Sequence, residues 1–141
     1  MKYYIIVASK DHVTKGKENG FAQAGHGKKT QLNKLKRSDW ILYYSSKDTY
    51  KDGKAYQKFT AIGQVIDNEP YQVIASPDFK PWRRNIDFKS SNDLEIRPLI
   101  SELDFISNKK KWGLHLISGF VEIGKSDFKR IETEMLTEKT I

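Results

Sequence analysis

The chain has 141 residues, enough for one compact domain with its own core, and residues 1–141 are read as that single domain. It holds no cysteine, which excludes a disulfide scaffold, a thiolate zinc site and a cysteine nucleophile. With 25 Lys and Arg against 18 Asp and Glu, the formal net charge of +7 favours polyanionic partners through counterion release.

Tyr3 to Ala8 is β-branched and aromatic and predicts a buried first strand, too short for a signal peptide and followed at once by charge. Ser9 is placed to cap a short helix over Lys10 to Lys15, ended by Gly16. Gly20 to Gly27 carries three glycines and reads as a shaped loop. Leu32 and Leu35 sit at helical spacing within Lys28 to Lys36. Trp40 to Tyr44 predicts a strand, and a polar connection containing Asp52-Gly53 leads to a long strand from Gln57 to about Asp67. That strand is apolar on both faces, as a central strand must be.

Asn68-Glu69-Pro70 turns the chain into a strand over Tyr71 to Ala75, and Ser76-Pro77-Asp78 turns it again into Trp82 to Phe88. The two-residue period puts Trp82, Arg84, Ile86 and Phe88 on one face and Arg83 and Asn85 on the other, so the two arginines cannot serve one role. Arg97-Pro98 opens a short helix with Ile100 and Leu103 inward. Leu114 to Ile123 predicts a last strand, and Ser126 a cap for a terminal helix whose Phe128, Ile131 and Met135 lie on one side. Strands outnumber helices without alternating with them, which gives α+β with a strongly curved or barrel-like sheet.

Ala22 to Lys29 fails as a phosphate loop, because Ala22 stands where glycine is needed and Lys29 where a magnesium-binding hydroxyl is needed. No dinucleotide-binding glycine pattern occurs. His12, His26 and His115 lack ligand spacing, so neither a metal nor another cofactor is expected. Ser9, Asp11 and His12 lie too close together on one turn to converge as a triad, and no catalytic residue is assigned. Pro81-Trp82-Arg83-Arg84 offers an aromatic plane beside guanidinium groups, a combination that suits a flat anionic ligand such as an unstacked nucleotide. Basic residues recur at Lys28-Lys29, at Lys34, Lys36 and Arg37, and at Lys109 to Lys111, so folding must assemble any patch.

Read in order, Tyr3-Tyr4-Ile5, Ser9-Lys10-Asp11-His12-Val13, Gly20-Phe21-Ala22-Gln23, His26-Gly27-Lys28, Gly63-Gln64-Val65 and Pro81-Trp82-Arg83-Arg84 resemble the EVE domain, a PUA-like family related to YTH domains. Asp39-Trp40, Tyr43-Tyr44-Ser45, Ile96 to Leu99 and the Phe120 to Phe128 segment continue the likeness. The resemblance implies a PUA-like curved, barrel-like β-sheet flanked by short helices. It also implies a nucleic-acid-binding module that flips a modified base into an aromatic pocket, with modified cytosine in DNA favoured and RNA as the other substrate.

Carried onto this chain, the resemblance implies a base-binding set of Ser9, Lys10, His12, Phe21, Gln23, Tyr43, Tyr44, Ser45 and Trp82, with Trp82 as the stacking platform. Adjacent strand residues point to opposite faces, which leaves open whether Tyr43 or Tyr44 lines the pocket. Arg83, Arg84, His26, Lys28 and Lys29 form the phosphate-binding set, and Trp40 belongs to the core. A cytoplasmic monomer without membrane association is expected. The competing readings are a hydrolase of modified nucleosides, like the ASCH relatives whose G-x-K-x-x-E-x-R pattern is absent here, and a small-molecule-binding domain.

Overall fold

In the computed structural model, which describes residues 1–137, one mixed sheet organises the chain. Its strands are β1 (Tyr3–Val7), β2 (Phe21–Ala22), β3 (Trp40–Lys47), β4 (Ala55–Val65), β5 (Tyr71–Gln72), β6 (Trp82–Phe88), β7 (Leu94–Glu95) and β8 (Phe120–Ile123). The main path runs β2-β6-β4-β3-β1-β8, with β5 on β6 and β7 on β4. β1 and β3 pair in parallel and the other pairs are antiparallel. Register shifts after Tyr43 and after Ser45 bend the β3–β4 ribbon, and the sheet curls into a half-barrel. The helices are short: α1 (Lys10–Asn19), α2 (Lys29–Leu32) and α3 (Lys125–Met135).

Both faces of the central strands are covered, which is why their sequences are nearly continuous apolar runs. On one face Ile5, Leu42, Tyr44 and Phe59 pack with Leu99, Leu103 and the α3 residues Phe128, Ile131 and Met135. On the other Tyr4, Ile6, Ile41, Tyr43 and Val65 meet Val13 of α1 and Leu32 and Leu35 from the α2 segment. Trp40 packs partly buried against the first cluster, with its ring 5.5 Å from Phe128.

Several local expectations are corrected. α1 does not stop at Gly16, which faces inward at a crossing where a Cβ would lie 2.6 Å from the Phe21 carbonyl oxygen. It ends at Gly20, whose φ of 72° lets its N–H reach the Gly16 carbonyl. Ser9 holds the position before α1 but its hydroxyl donates to Asp11 at 2.5 Å instead of accepting a helix N–H. The Lys28 to Lys36 helix shrinks to α2, and the expected Gly20 to Gly27 loop contains β2 and a tight 3-10 turn at Gly25–Gly27. Leu114 to Ile123 is not one strand, because Trp112–Leu116 is a 3-10 turn and Gly119 turns the chain at φ 77° before β8 begins. Gly124, not Ser126, precedes α3. Among the described residues no helix is long and apolar enough to cross a membrane.

Candidate functional site

A cavity of about 670 Å³ opens between the end of β1, α1, β2, the Gly25–Gly27 turn and the Ile117–Gly119 segment. Close approach of glycine backbones shapes it. Gly16 lets α1 press on β2, and at Gly27, with φ 85°, a Cβ would sit 2.7 Å from Pro81 Cβ and 3.1 Å from Phe79 Cζ. The glycine turn therefore seats directly against the segment leading into β6.

Tyr43 projects from β3 into the cavity floor, where its hydroxyl donates to the Gln23 carbonyl at 3.0 Å and accepts the Gln23 N–H at 3.1 Å. Burial pushes its pKa far above the ordinary tyrosine value, so the neutral phenol holds the β2 end in place. β2 pairs with β6 at Phe21↔Asn85 and Ala22↔Arg84. The Arg83 guanidinium carbon lies 3.7 Å from the Phe21 ring centroid, and Arg83 Nε donates to Gln23 Oε1 at 2.7 Å. Phe21, Gln23 and Arg83 thus form one wall with Tyr43 behind it.

The mouth carries His12, His26 and Tyr50, with the Tyr50 ring stacked on His12 at 5.2 Å and edge-on to His26 at 6.1 Å. Asp11 fastens this arrangement. Its carboxylate accepts from the Ser9 hydroxyl and from the backbone N–H groups of His12 and Tyr50, while its own N–H donates to the Asp48 carbonyl. Burial raises the Asp11 pKa, but these hydrogen bonds outweigh it and hold the carboxyl below its ordinary value.

The structure brings His12, Phe21, Gln23, Tyr43, His26 and Arg83 to the cavity. It places the other expected site residues elsewhere. Tyr44 faces the opposite layer against Phe59 and Trp112, which decides between the two tyrosines by strand alternation. Ser45 is buried, sharing a 2.8 Å hydrogen bond with Thr60. Lys10 pairs with Asp93 at 3.0 Å, and Ser9 serves Asp11. Trp82 packs partly buried against the second core cluster, and Lys29 Nζ covers its ring at 4.7 Å from the centroid.

Arg84 is a correction to the phosphate-binding set. Its side chain is 0% exposed, and it donates to Asp67 Oδ1 at 2.6 Å, to the Asp67 carbonyl at 3.1 Å, to the Leu32 carbonyl at 2.9 Å and to the Leu35 carbonyl. Every nitrogen of its fork is engaged in holding the α2 segment to β6. Lys28 and Lys29 are exposed beside the glycine turn. His115 Nε2 accepts the Asn108 N–H, a local structural role.

Sequence reasoning missed Tyr50, Phe79, Lys15 and Ile117, all of which line the cavity. Tyr50 and Phe79 are single aromatics in polar connections, and that isolation was the available signal.

Solved structures with this fold include the YTH domain of Zygosaccharomyces rouxii MRB1 in complex with N6-methyladenosine RNA, with a TM-score of 0.65 and 15% identity over 99% of this chain and 87% of that one. A complex of the YTH domain-containing protein mmi1 with RNA gives a TM-score of 0.60 and 11% identity over 95% of this chain and 80% of that one. These likenesses establish the PUA-like α+β fold. In sequence, the chain is 47% identical to a UPF0310 protein of Mycolicibacterium vanbaalenii over 97% of its length and 94% of the relative's. It is 41% identical to UPF0310 protein YdcG of Bacillus subtilis over 94% of its length and 91% of the relative's. The EVE domain model matches residues 2–134, nearly the whole chain, and the chain belongs to the EVE domain family.

Proposed function

We propose that this protein binds nucleic acid and reads a modified base by taking it out of the stack into the cavity at the end of β1. The observation that carries the reading is the cavity itself, whose volume of about 670 Å³ falls in the range of small-molecule sites and whose wall sets Phe21 and Tyr43 beside the polar groups of Gln23 and Arg83. A base needs a flat apolar contact and a few oriented hydrogen-bonding groups, and this wall supplies both. His12 and Tyr50 offer a further stacking surface at the mouth, and exposed Lys15, Lys28 and Lys29 with His26 offer cations to the backbone phosphates.

Support also comes from the YTH relative of the same fold, which was solved with N6-methyladenosine RNA. The EVE family membership directs the reading first to modified cytosine in DNA. The base-contacting set is then His12, Phe21, Gln23, Tyr43 and Tyr50, while Ser9 and Lys10 act by fixing α1 through Asp11 and Asp93. Fluorescence-anisotropy titration at two salt concentrations tests this with matched DNA and RNA oligonucleotides carrying cytosine, 5-methylcytosine, 5-hydroxymethylcytosine, adenine or N6-methyladenine. A preference for one modified base is expected. Equal, salt-sensitive binding to all of them would reduce the protein to a basic surface and refute base reading.

A further inference from the structure

Arg83 has no carboxylate partner among the described residues. Among the described residues its side chain makes one hydrogen bond, from Nε to Gln23 Oε1, and both terminal amino groups are left without a protein acceptor. Phe21 lies under one face of the guanidinium and fixes its plane. The cavity lining that Arg83 joins contains Lys15, His12 and His26 but no aspartate or glutamate. Gln23 and the Phe21 ring hold the partly buried guanidinium in place, and its two terminal amino groups are left to pair with an incoming anion.

The neighbouring polar groups point the same way. Gln23 Oε1 accepts from Arg83, which fixes the amide, and among the described residues the donor Nε2 has no protein partner. The Tyr43 hydroxyl both donates to and accepts from the Gln23 backbone. The wall beside Arg83 therefore presents N–H donors, from the Arg83 terminal amino groups and Gln23 Nε2, while the unpartnered acceptor of the lining is Gln31 Oε1, which suits an exocyclic amine.

We propose that Arg83 recognises an oxyanion carried on the flipped base, so that the ligand class is a 5-carboxylpyrimidine and not a base with a neutral substituent. The inference rests on the cavity being a base pocket and names what that pocket prefers. A planar carboxylate matches the two terminal amino groups of guanidinium in a bidentate pair, with Gln23 Nε2 left for a ring carbonyl. A backbone phosphate shares the oxyanion chemistry, but exposed Lys28 and Lys29 already serve that role outside the cavity, whereas Arg83 is anchored on its wall.

The test compares oligonucleotides bearing one 5-carboxylcytosine, 5-methylcytosine or cytosine, against the folded wild type and Arg83→Gln. The carboxylated oligonucleotide is expected to bind at least about tenfold tighter than the methylated one, and Arg83→Gln to abolish that difference. If 5-methylcytosine exceeds cytosine while 5-carboxylcytosine gains nothing further, the inference is overturned and base reading stands. If no modified base is preferred, base reading itself falls. Inorganic phosphate and an abasic oligonucleotide serve as competitors, and competition by either that matches free 5-carboxylcytidine would assign Arg83 to phosphate and overturn the inference. Should Arg83→Gln fail to fold, NMR titration of the wild type with 5-carboxylcytidine must shift the Arg83 Nε–H resonance; an unmoved resonance overturns it equally.

Discussion

Arg84→Met separates a structural arginine from a phosphate-binding one, because it keeps much of the side-chain volume and removes every polar contact. In the folded protein Arg84 is 0% exposed and paired with Asp67 at 2.6 Å, an acid whose own side chain is 18% exposed. Its loss leaves that carboxylate short of its counter-charge and strips the Leu32 and Leu35 carbonyls of their side-chain donor. Removing one partner of a buried pair costs about 3–5 kcal/mol, against a total stability of about 5–15 kcal/mol for a domain of ordinary stability. With a urea dependence of about 1–3 kcal/mol/M, the midpoint should fall by roughly 2 M. Urea unfolding followed by far-ultraviolet circular dichroism and tryptophan fluorescence measures this. Below the transition, nucleic-acid affinity per folded molecule and its salt slope should match the wild type. A stability loss under about 1 kcal/mol combined with a shallower salt slope would refute the structural role and restore Arg84 to the phosphate-binding set.

Trp82→Ala should likewise act on stability, by about 1–3 kcal/mol since the ring is only partly buried, and leave base preference unchanged; lost preference in a fully folded variant would return Trp82 to the site. Charge reversal of Lys28 and Lys29 should weaken all oligonucleotides by similar factors and reduce the slope of log K against log salt by about 2, whereas a loss confined to modified oligonucleotides would contradict a phosphate role. Tyr56 donates to Asp93, and that hydrogen bond, with burial and the nearby acid charges, pushes its pKa up to about 12. Because the folded value is raised, the stabilisation is complete below the unfolded tyrosine value near 10 and is lost as pH climbs through about 12. The stability difference between wild type and Tyr56→Phe should therefore hold constant from neutral pH to about 10 and shrink above it; a constant difference beyond that range would exclude the Tyr56–Asp93 bond as its source.

Much of the fold was legible because its strands are driven by alternation and its central strands by burial on both faces. The β6 boundaries, Trp82–Phe88, follow directly from the period that sets Arg84 and Ile86 inward. The same period separated the two arginines, yet residue type alone suggests phosphate for both. What decides Arg84 is Asp67, 17 residues earlier in sequence, together with two carbonyls of the α2 segment, and no local pattern announces a partner set assembled from three stretches. The segment from Leu114 to Gly119 misled for the opposite reason. Its apolar residues suggest a strand, but exposed Leu114 and Ile117 show that apolar character there serves surface and cavity rim instead of pairing.

The cavity was only half legible, and the division has a physical cause. Residues that hold it together, such as Gly16, Gly20, Phe21 and Tyr43, lie on or beside regular elements, where spacing and glycine placement constrain them. Residues at its mouth, Tyr50, Phe79 and Ile117, come from connections whose conformation depends on distant contacts: Tyr50 on Asp11, Phe79 on Gly27, Ile117 on the turn before β8. Connections are where binding surfaces diversify on a fixed scaffold. A wall of Phe21, Gln23, Tyr43 and Arg83, fixed by regular elements, can therefore set the chemistry of the ligand, while the mouth sets which nucleic acid can reach it. On that division, exchanging the wall residues should change base preference, and exchanging Tyr50 or Phe79 should change overall affinity without altering the order of the bases. A reordering of base preference by Tyr50→Ala would show that mouth and wall act as one surface.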